Sequence, residues 1–525
     1  MRQRSWWGWG WADAEVSDAE RAGLISRLPP DWVGDLIPMP RIRDLNLRAP
    51  RFEPPAALAE ICSTAPVDRA GHTYGKAYRD VMRSLSGQLS NPPDMVAFPR
   101  TEAQIVDLLD WAGSAAVAVI PYGGGSSVVG GVEYRGAAHA GVLSMDLTGL
   151  DQVVEVDRVS RAASIQAGVL GPALERQLAE HRLTLRHFPQ SFEFSTLGGW
   201  LATRAGGHYA TRQTHIDDFV ESLRVVTPIG ICESRRLPAS GAGPSPDRLF
   251  LGSEGALGVI TQAWLRLQDR PEYKASTGIR FASFADGLAA VRAIAQSGLD
   301  PSNCRLLDST EAALNAGVQD GSCMLVLGFE SSDHPVDAAL ARAVELAADH
   351  RGTYPSVSNQ DTPDQPDPVG SWRATFLRMP YLRDALARLG VIVETFETAC
   401  TWDRAAELYE VVRAEVAAAI EDVTGQPGIC TCRLTHVYPD GVAPYFTVMA
   451  RGRRGSEVSM WDAVKSASSD VLERLGATIT HHHAVGRDHF RWYDRQRPNP
   501  FGTALAAAKK SLDPSGILNP GVLFD

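Results

Sequence analysis

Three adjacent histidines, His481, His482 and His483, open the run that continues Ala484-Val485-Gly486-Arg487-Asp488-His489. Imidazole titrates near neutral pH, so such a run can take up and deliver protons or bind a metal. On an extended backbone His481 and His483 share one face and His482 points the other way. A second stretch, Pro121-Tyr122-Gly123-Gly124-Gly125-Ser126-Ser127, suits an anion. Three glycines let backbone N–H groups turn toward a phosphate and let it approach closely, and two hydroxyls add donors. Taken alone, the same residues make an ordinary glycine-rich turn.

Three further clusters of small and hydroxyl residues follow. They are Pro189-Gln190-Ser191-Phe192-Glu193-Phe194-Ser195-Thr196 with Leu197-Gly198-Gly199-Trp200, then Ala202-Thr203-Arg204-Ala205-Gly206-Gly207, then Gly252-Ser253-Glu254-Gly255-Ala256-Leu257-Gly258-Val259-Ile260-Thr261. Few charges and many backbone contacts suit a pyrophosphate and a flat ring system. A Rossmann fingerprint is excluded, because Val128 stands where the third glycine belongs, and no Walker A pattern occurs.

These loops need elements to position them. The apolar run Ala115 to Ile120 predicts a short buried strand leading into the glycine loop. Before it, Thr101-Glu102-Ala103-Gln104 reads as a capping box, with Ile105, Leu108, Leu109 and Ala112 on one helix stripe. Further strands are expected over 141–147, 163–169, 222–227 and 258–267, with Pro172 opening a helix that buries Leu174 and Leu178. Beyond about residue 270, helical segments 284–297, 334–350 and 403–422 alternate with strands such as 324–329, an α+β pattern. The polar, Pro/Asp-rich segment 353–369 reads as a loop. The expected organisation is a partly helical leader (1–92), a first α/β region (93–270), a second domain (271–480) and a C-terminal segment (481–525).

Composition narrows the classes. The chain has 525 residues, 44% hydrophobic, with a net charge of −11 and no Lys/Arg block, so nucleic acid is not an expected partner. Seven scattered cysteines without a CxxC support neither a disulfide framework nor a zinc knuckle. No apolar run is long enough for a membrane span. The N-terminus lacks the apolar core of a signal peptide and the C-terminus is not of the Ser-Lys-Leu type, so a cytoplasmic location is expected. The tryptophans at 6–11 are expected to pack on their own domain; peripheral contact with a bilayer interface is the other reading.

The four loop clusters, in this order and spacing, resemble the vanillyl-alcohol-oxidase-type (PCMH-type) FAD domain, and within it the alkyldihydroxyacetonephosphate synthase family. The Trp-Gly-Trp-Gly leader, Gly71-His72, Phe194-Ser195-Thr196, Glu254-Gly255, Phe396-Glu397-Thr398, Thr431-Cys432-Arg433, the histidine triplet and Leu512-Asp513-Pro514 carry the resemblance. It implies an α+β fold: a two-part PCMH-type FAD-binding domain, completed by the C-terminal segment, plus an α+β cap domain. FAD is the implied cofactor, held by residues 121–127, 190–196, 203–205 and 254–260. It should be non-covalent, because the first loop carries no histidine for a tether.

The family's reaction exchanges the acyl group of acyl-dihydroxyacetone phosphate for a fatty alcohol through a flavin N5 adduct, with no net redox change. The resemblance further implies Tyr445 and His481–His483 as proton-transfer groups, and Arg305 and Arg383 as substrate-binding cations. A phenol such as that of Tyr445 relays protons when a cation or histidine lowers its pKa. A salt bridge, for instance Arg305 to Asp308, is the plain alternative for the arginines. Related hydroxyacid dehydrogenases bind metal where a Gly-Asp-Gly follows their histidines; Ala484-Val485-Gly486-Arg487 lacks it, so no metal is expected. A lipid substrate and a homodimer are expected. Gln190, Ser126 and Ala484 depart from the family's Asp, Thr and Gly. The alternative activity is an FAD-dependent dehydrogenase or oxidase of a hydroxy acid or alcohol, which the same fold could support.

Overall fold

The computed structural model describes residues 3–14, 16–136, 138–354 and 368–524, with backbone only for 368–377. Most of the segment 353–369, read above as a loop, lies outside the described residues. The leader contributes helix α1 (Asp18–Ile25). Its N-cap Ser17 accepts from the Glu20 N–H, and the Glu20 carboxylate accepts from the Ser17 N–H in return.

The first sheet contains β1 (Cys62–Ser63), β2 (Met95–Ala97), β3 (Val117–Tyr122) and β4 (Gly141–Asp146), in the order β1-β2-β4-β3. Strands β2 and β3 both run parallel to β4. Helix α2 (Glu102–Ala115) joins β2 to β3 and buries Ile105, Leu108, Leu109 and Ala112 against the sheet. Only half of the expected capping box forms. Thr101 Oγ1 accepts from the Gln104 N–H at 3.3 Å, but the Gln104 side chain accepts from the Arg100 N–H.

The second sheet is antiparallel and comprises β5 (Val153–Asp157), β6 (Ala162–Gln166), β7 (Val220–Thr227), β8 (Gly230–Glu233) and β9 (Val259–Arg266), ordered β5-β6-β9-β7-β8. Helix α3 (Leu197–Thr203) lies between β6 and β7 in the chain and buries Trp200 and Leu201.

A third, seven-stranded sheet contains β10 (Tyr273–Phe281), β11 (Asn303–Leu307), β12 (Cys323–Ser331), β13 (Val391–Glu397), β14 (Ile429–Val437) and β15 (Gly441–Arg451), ordered β10-β12-β11-β14-β15-β13, with Cys400–Thr401 also pairing with β15. Strand periodicity divides its two faces. Cys304, Leu306, Leu325, Cys432, Leu434, Phe446 and Val448 pack with Leu408, Val412, Trp461 and Val464 from the helices Trp402–Thr424 and Glu457–Arg474. On the other face Leu307, Met324 and Val326 meet Ala312 and Ala316 of α4 (Ser309–Ala316). Helix α5 (Pro368–Arg388) leads into β13.

The chain end returns to the first sheet. Leu518 bridges to Val119, and Ile517 and Leu518 join the core beneath α2. The Arg487 guanidinium donates to the carbonyls of Gly130 and Pro520, and Asn519 Nδ2 donates to those of Gly131 and Glu254. The leader's tryptophans pack on the chain itself. Trp9 is buried with Phe194 and Tyr381, with Trp11 against them.

Candidate active site

One cavity of about 370 Å³ joins the loops of the first two sheets to the open face of the third. At its first end lie Pro121, Tyr122, Gly123, Gly124, Gly125, Ser126 and Ser127, on the loop that β3 delivers. Gln190, Ser191, Thr196, Thr203, Ala205, Glu254, Gly255, Gly258, Val259 and Ile260 line the same end. The glycines are required by loop-on-loop packing as well as by any ligand. A Cβ on Gly124 would stand 1.5 Å from the Phe194 carbonyl oxygen, and one on Gly123 would stand 2.2 Å from Thr196 Oγ1.

Other residues of the expected set lie elsewhere. Phe192 stacks on Trp200, and Phe194 packs edge-on against Trp9 and Tyr381. Ser195 Oγ accepts from Trp200 Nε1 at 2.6 Å. Glu193 is exposed, Arg204 pairs with Asp217 at 2.9 Å, and Ala256 and Leu257 are core residues. These residues share loops with the cavity-lining ones but direct their side chains to the core, to solvent or to an ion pair.

This end fits a flavin dinucleotide. Its walls are backbone, small side chains and hydroxyls, and Glu254 is the carboxylate among the lining residues named above. Burial pushes the Glu254 carboxyl up to about 7, against the opposing N–H groups of Gly486 and Val485, so it carries less than full charge toward a pyrophosphate at neutral pH. Two cations beside the loop were not singled out in the sequence. Arg4 Nη1 donates to the Gly123 carbonyl at 3.0 Å. Lys76 is buried, its N–H donates to the Ser127 carbonyl at 2.6 Å, and burial pushes its ammonium down to about 8. No local motif marks either residue, since both reach the loop from the leader.

At the second end the register of the third sheet builds three rows. Val393, Met449 and Ile429 stand side by side, then Thr395, Thr447 and Thr431, then Glu397, Tyr445 and Arg433. The surface thus grades from apolar through hydroxyl to charged. Leu382 and Leu386 of α5, Leu314 of α4 and Leu24 of α1 line the cavity with the apolar row.

Arg433 was quoted above only as part of a segment, yet it stands in the charged row directly beside Tyr445. It is 2% exposed, its Nη1 pairs with Glu311 Oε1 at 2.8 Å, and its Cζ lies 3.9 Å from the Tyr445 ring centroid. Glu311 also accepts from Thr431 Oγ1. The Tyr445 phenol is shifted up rather than down: burial outweighs the nearby Arg433 guanidinium and the Thr395 hydroxyl. The phenol therefore keeps its proton at neutral pH.

Arg305 is buried and its Nη2 donates to the His208 carbonyl at 2.6 Å. Burial, with Arg433 nearby, pushes it down to about 9, which leaves it charged at neutral pH. Asp308, the salt-bridge partner considered for it, accepts from the N–H groups of Glu311 and Cys432. Arg383 lines the cavity from α5, donates to the Lys76 carbonyl and lies 5.4 Å from the Trp9 ring.

The histidine triplet is a bend, so the expected alternation fails. The backbone N–H groups of His481, His482 and His483 all donate to the Glu397 carboxylate, as does the Thr480 hydroxyl. His482 and His483 line the cavity, whereas His481 turns to Tyr438 and His215. Burial raises the Glu397 carboxyl, but His483, His481 and these hydrogen bonds outweigh it and hold the group well below the usual carboxylate range. Burial pushes the His483 imidazole down to about 4, and His481 and His482 well below their ordinary value. All three rings are neutral at neutral pH, so the N–H dipoles sustain the Glu397 charge. Ligand atoms of His436, His481 and His482 lie within 4.8 Å of one another, as do those of Glu397, His482 and His483. The Glu397 oxygens already accept four hydrogen bonds, and His436 Nε2 donates to the Gly207 carbonyl at 2.9 Å, which makes both groups poor metal cages.

A backbone-lined cofactor cradle facing a cap sheet with buried cations and a tyrosine defines an FAD-dependent enzyme of the PCMH-type fold. The chain matches the FAD binding domain family over residues 93–234 and the C-terminal domain family of FAD linked oxidases over 270–523. An alkyldihydroxyacetonephosphate synthase of Dictyostelium discoideum is 30% identical over 486 residues, 87% of this chain and 77% of that protein. The enzyme of the same name from Caenorhabditis elegans is 29% identical over 99% of this chain and 95% of its own. A solved alkyldihydroxyacetonephosphate synthase structure superposes with a TM-score of 0.82 at 26% identity, covering 99% of this chain and 98% of that one. The chain belongs to the alkyldihydroxyacetonephosphate synthase family of these flavoproteins.

Proposed function

We propose that the chain exchanges the acyl group of acyl-dihydroxyacetone phosphate for a fatty alcohol, making an ether lipid precursor. The observation that carries this reading is the graded face of the third sheet, continuous with the cofactor cradle in one cavity. Val393, Met449 and Ile429 suit an alkyl chain, the threonine row suits the polar ester or ether region, and the charged row suits the reacting carbon and phosphate. Arg305, Arg383 and Arg433 supply the guanidinium charge that a phosphate dianion needs. Bound FAD, held without a covalent tether, supplies an electron store for bond exchange at the substrate carbon. Tyr445 holds a proton at its phenolic oxygen, and His482 and His483, neutral and cavity-facing, accept one.

The test supplies palmitoyl-dihydroxyacetone phosphate and labelled hexadecanol to purified yellow protein. Labelled ether product without net consumption of an electron acceptor is expected, and denaturation should release the flavin into solution. Bleaching of the flavin by a hydroxy acid, with no ether formed, would replace the reading by the dehydrogenase one. Tyr445→Phe should keep the flavin spectrum and lose turnover by about 10²-fold or more, the usual contribution of a positioned proton donor.

A further inference from the structure

Replacing an acyl ester by an alkyl ether releases one proton per turnover: the alcohol loses its hydrogen and the fatty acid leaves as a carboxylate. That proton appears where the cofactor cradle meets the charged row, beside His482 and His483. We propose that His481, His215 and Tyr438 form a relay that carries this proton from His482 to the protein surface, a proposal that rests on the exchange reading above.

The contacts form a continuous line. His482 Nδ1 lies 3.0 Å from His481 Nδ1. His481 Nε2 lies 3.1 Å from His215 Nε2 and 2.7 Å from the Tyr438 hydroxyl. The Tyr438 hydroxyl lies 3.0 Å from Thr214 Oγ1. His215 Nδ1 lies 2.9 Å from the Arg204 carbonyl, an acceptor, so Nδ1 carries the proton and Nε2 presents its lone pair to His481. His482 lines the cavity; His215 and Tyr438 are half-buried, and Asp218 beside them is exposed.

A neutral imidazole carries one proton, so the lone pair on His215 orders the rest. His481 donates from Nε2 to His215 and accepts at Nδ1 from His482, which leaves His482 Nε2 as a lone pair for the cavity. When His482 Nε2 takes the alcohol proton, its Nδ1 proton passes to His481 Nδ1. The His481 Nε2 proton then passes to His215, whose imidazolium releases one proton to solvent. Each bond to hydrogen that breaks is matched by one that forms, and ring rotation restores the starting tautomers. Burial of His481 and His482 favours the neutral rings that this requires. Tyr438 offers the second branch: its hydroxyl oxygen accepts from His481 Nε2 and its own proton points to Thr214 Oγ1.

The test measures alkyl exchange by His215→Ala and His215→Ala/Tyr438→Phe holoenzymes at low buffer concentration. The expected result is a kcat loss of about tenfold or more, with KM, flavin spectrum and Tm unchanged, and recovery on adding imidazole, as for a missing proton acceptor. Unchanged kcat in the double variant, or a loss that imidazole does not relieve, would overturn the relay. Absence of exchange in the wild-type protein would instead overturn the proposed function. In that event the relay stands or falls on ¹⁵N-histidine NMR of the holoenzyme at pH 7. Neutral His481 and His482 with a protonated His215 Nδ1 support it, and an imidazolium at either of the first two refutes it.

Discussion

Arg433 shows how much a single buried side chain carries in this site. Its charge is balanced by Glu311 and its face is covered by Tyr445. Removing one partner of such a pair leaves a buried charge, at a cost of about 3–5 kcal/mol, whereas replacing both by apolar groups is far less costly. Arg433→Met should therefore lower Tm sharply, and Arg433→Met/Glu311→Leu should recover most of the loss while staying inactive. Thermal melting and the exchange assay on the two proteins check this. Glu254 gives a pH signature. Its folded-state pKa, about 7, lies above its ordinary value of 4.5, so the protonated form is favoured by folding. Its contribution is fully present below about pH 4 and is lost as pH rises through 7, on the order of 3 kcal/mol in all. Glu254→Gln should flatten that part of the stability profile, measured by urea midpoints between pH 4 and 8.

At the scale of elements, the glycine loop after β3 works by contact with a neighbouring loop. Gly124→Ala would drive a methyl into the Phe194 carbonyl. It should strip FAD, read as loss of the visible flavin spectrum, and lower Tm. Gly23→Ala, inside α1 with no atom within 4 Å of the added carbon, should be neutral or stabilising by about 0.5–1 kcal/mol. Equal effects of the two substitutions would contradict the packing account. The elements themselves were largely legible. The stripe Ile105, Leu108, Leu109 and Ala112 and the apolar run into the glycine loop both reflect local periodicity, and both formed. The histidine triplet was misread because its conformation follows from a carboxylate 84 residues away, Glu397, that collects three consecutive N–H groups.

Across the whole molecule the cavity exists only because parts far apart in sequence converge. The leader brings Trp9 and Leu24, the first α/β region brings the cradle, the cap brings the graded sheet, and the chain end brings the histidines. Under the proposed function the apolar row sets the length of alkyl chain that fits. Met449→Trp should raise KM for hexadecanol strongly while sparing octanol, and a chain-length series with each protein checks it. A parallel loss for both alcohols would place the chain elsewhere.

By itself the sequence showed loops of glycine and hydroxyl residues suited to an anion and a flat ring, because these are local features of the chain, and the family resemblance that their order carries implied FAD. It also marked Tyr445, the arginines and the histidines through family resemblance. Only the tertiary structure decided which way those residues point and how they are charged. Strand register put Arg433 beside Tyr445, loop packing turned Phe192 and Phe194 away from the cavity, and burial kept the Tyr445 phenol protonated and the histidines neutral. Orientation and desolvation depend on packing between different elements, from the paired strand that puts Tyr445 beside Arg433 to Tyr381 against Phe194, and no local pattern encodes them.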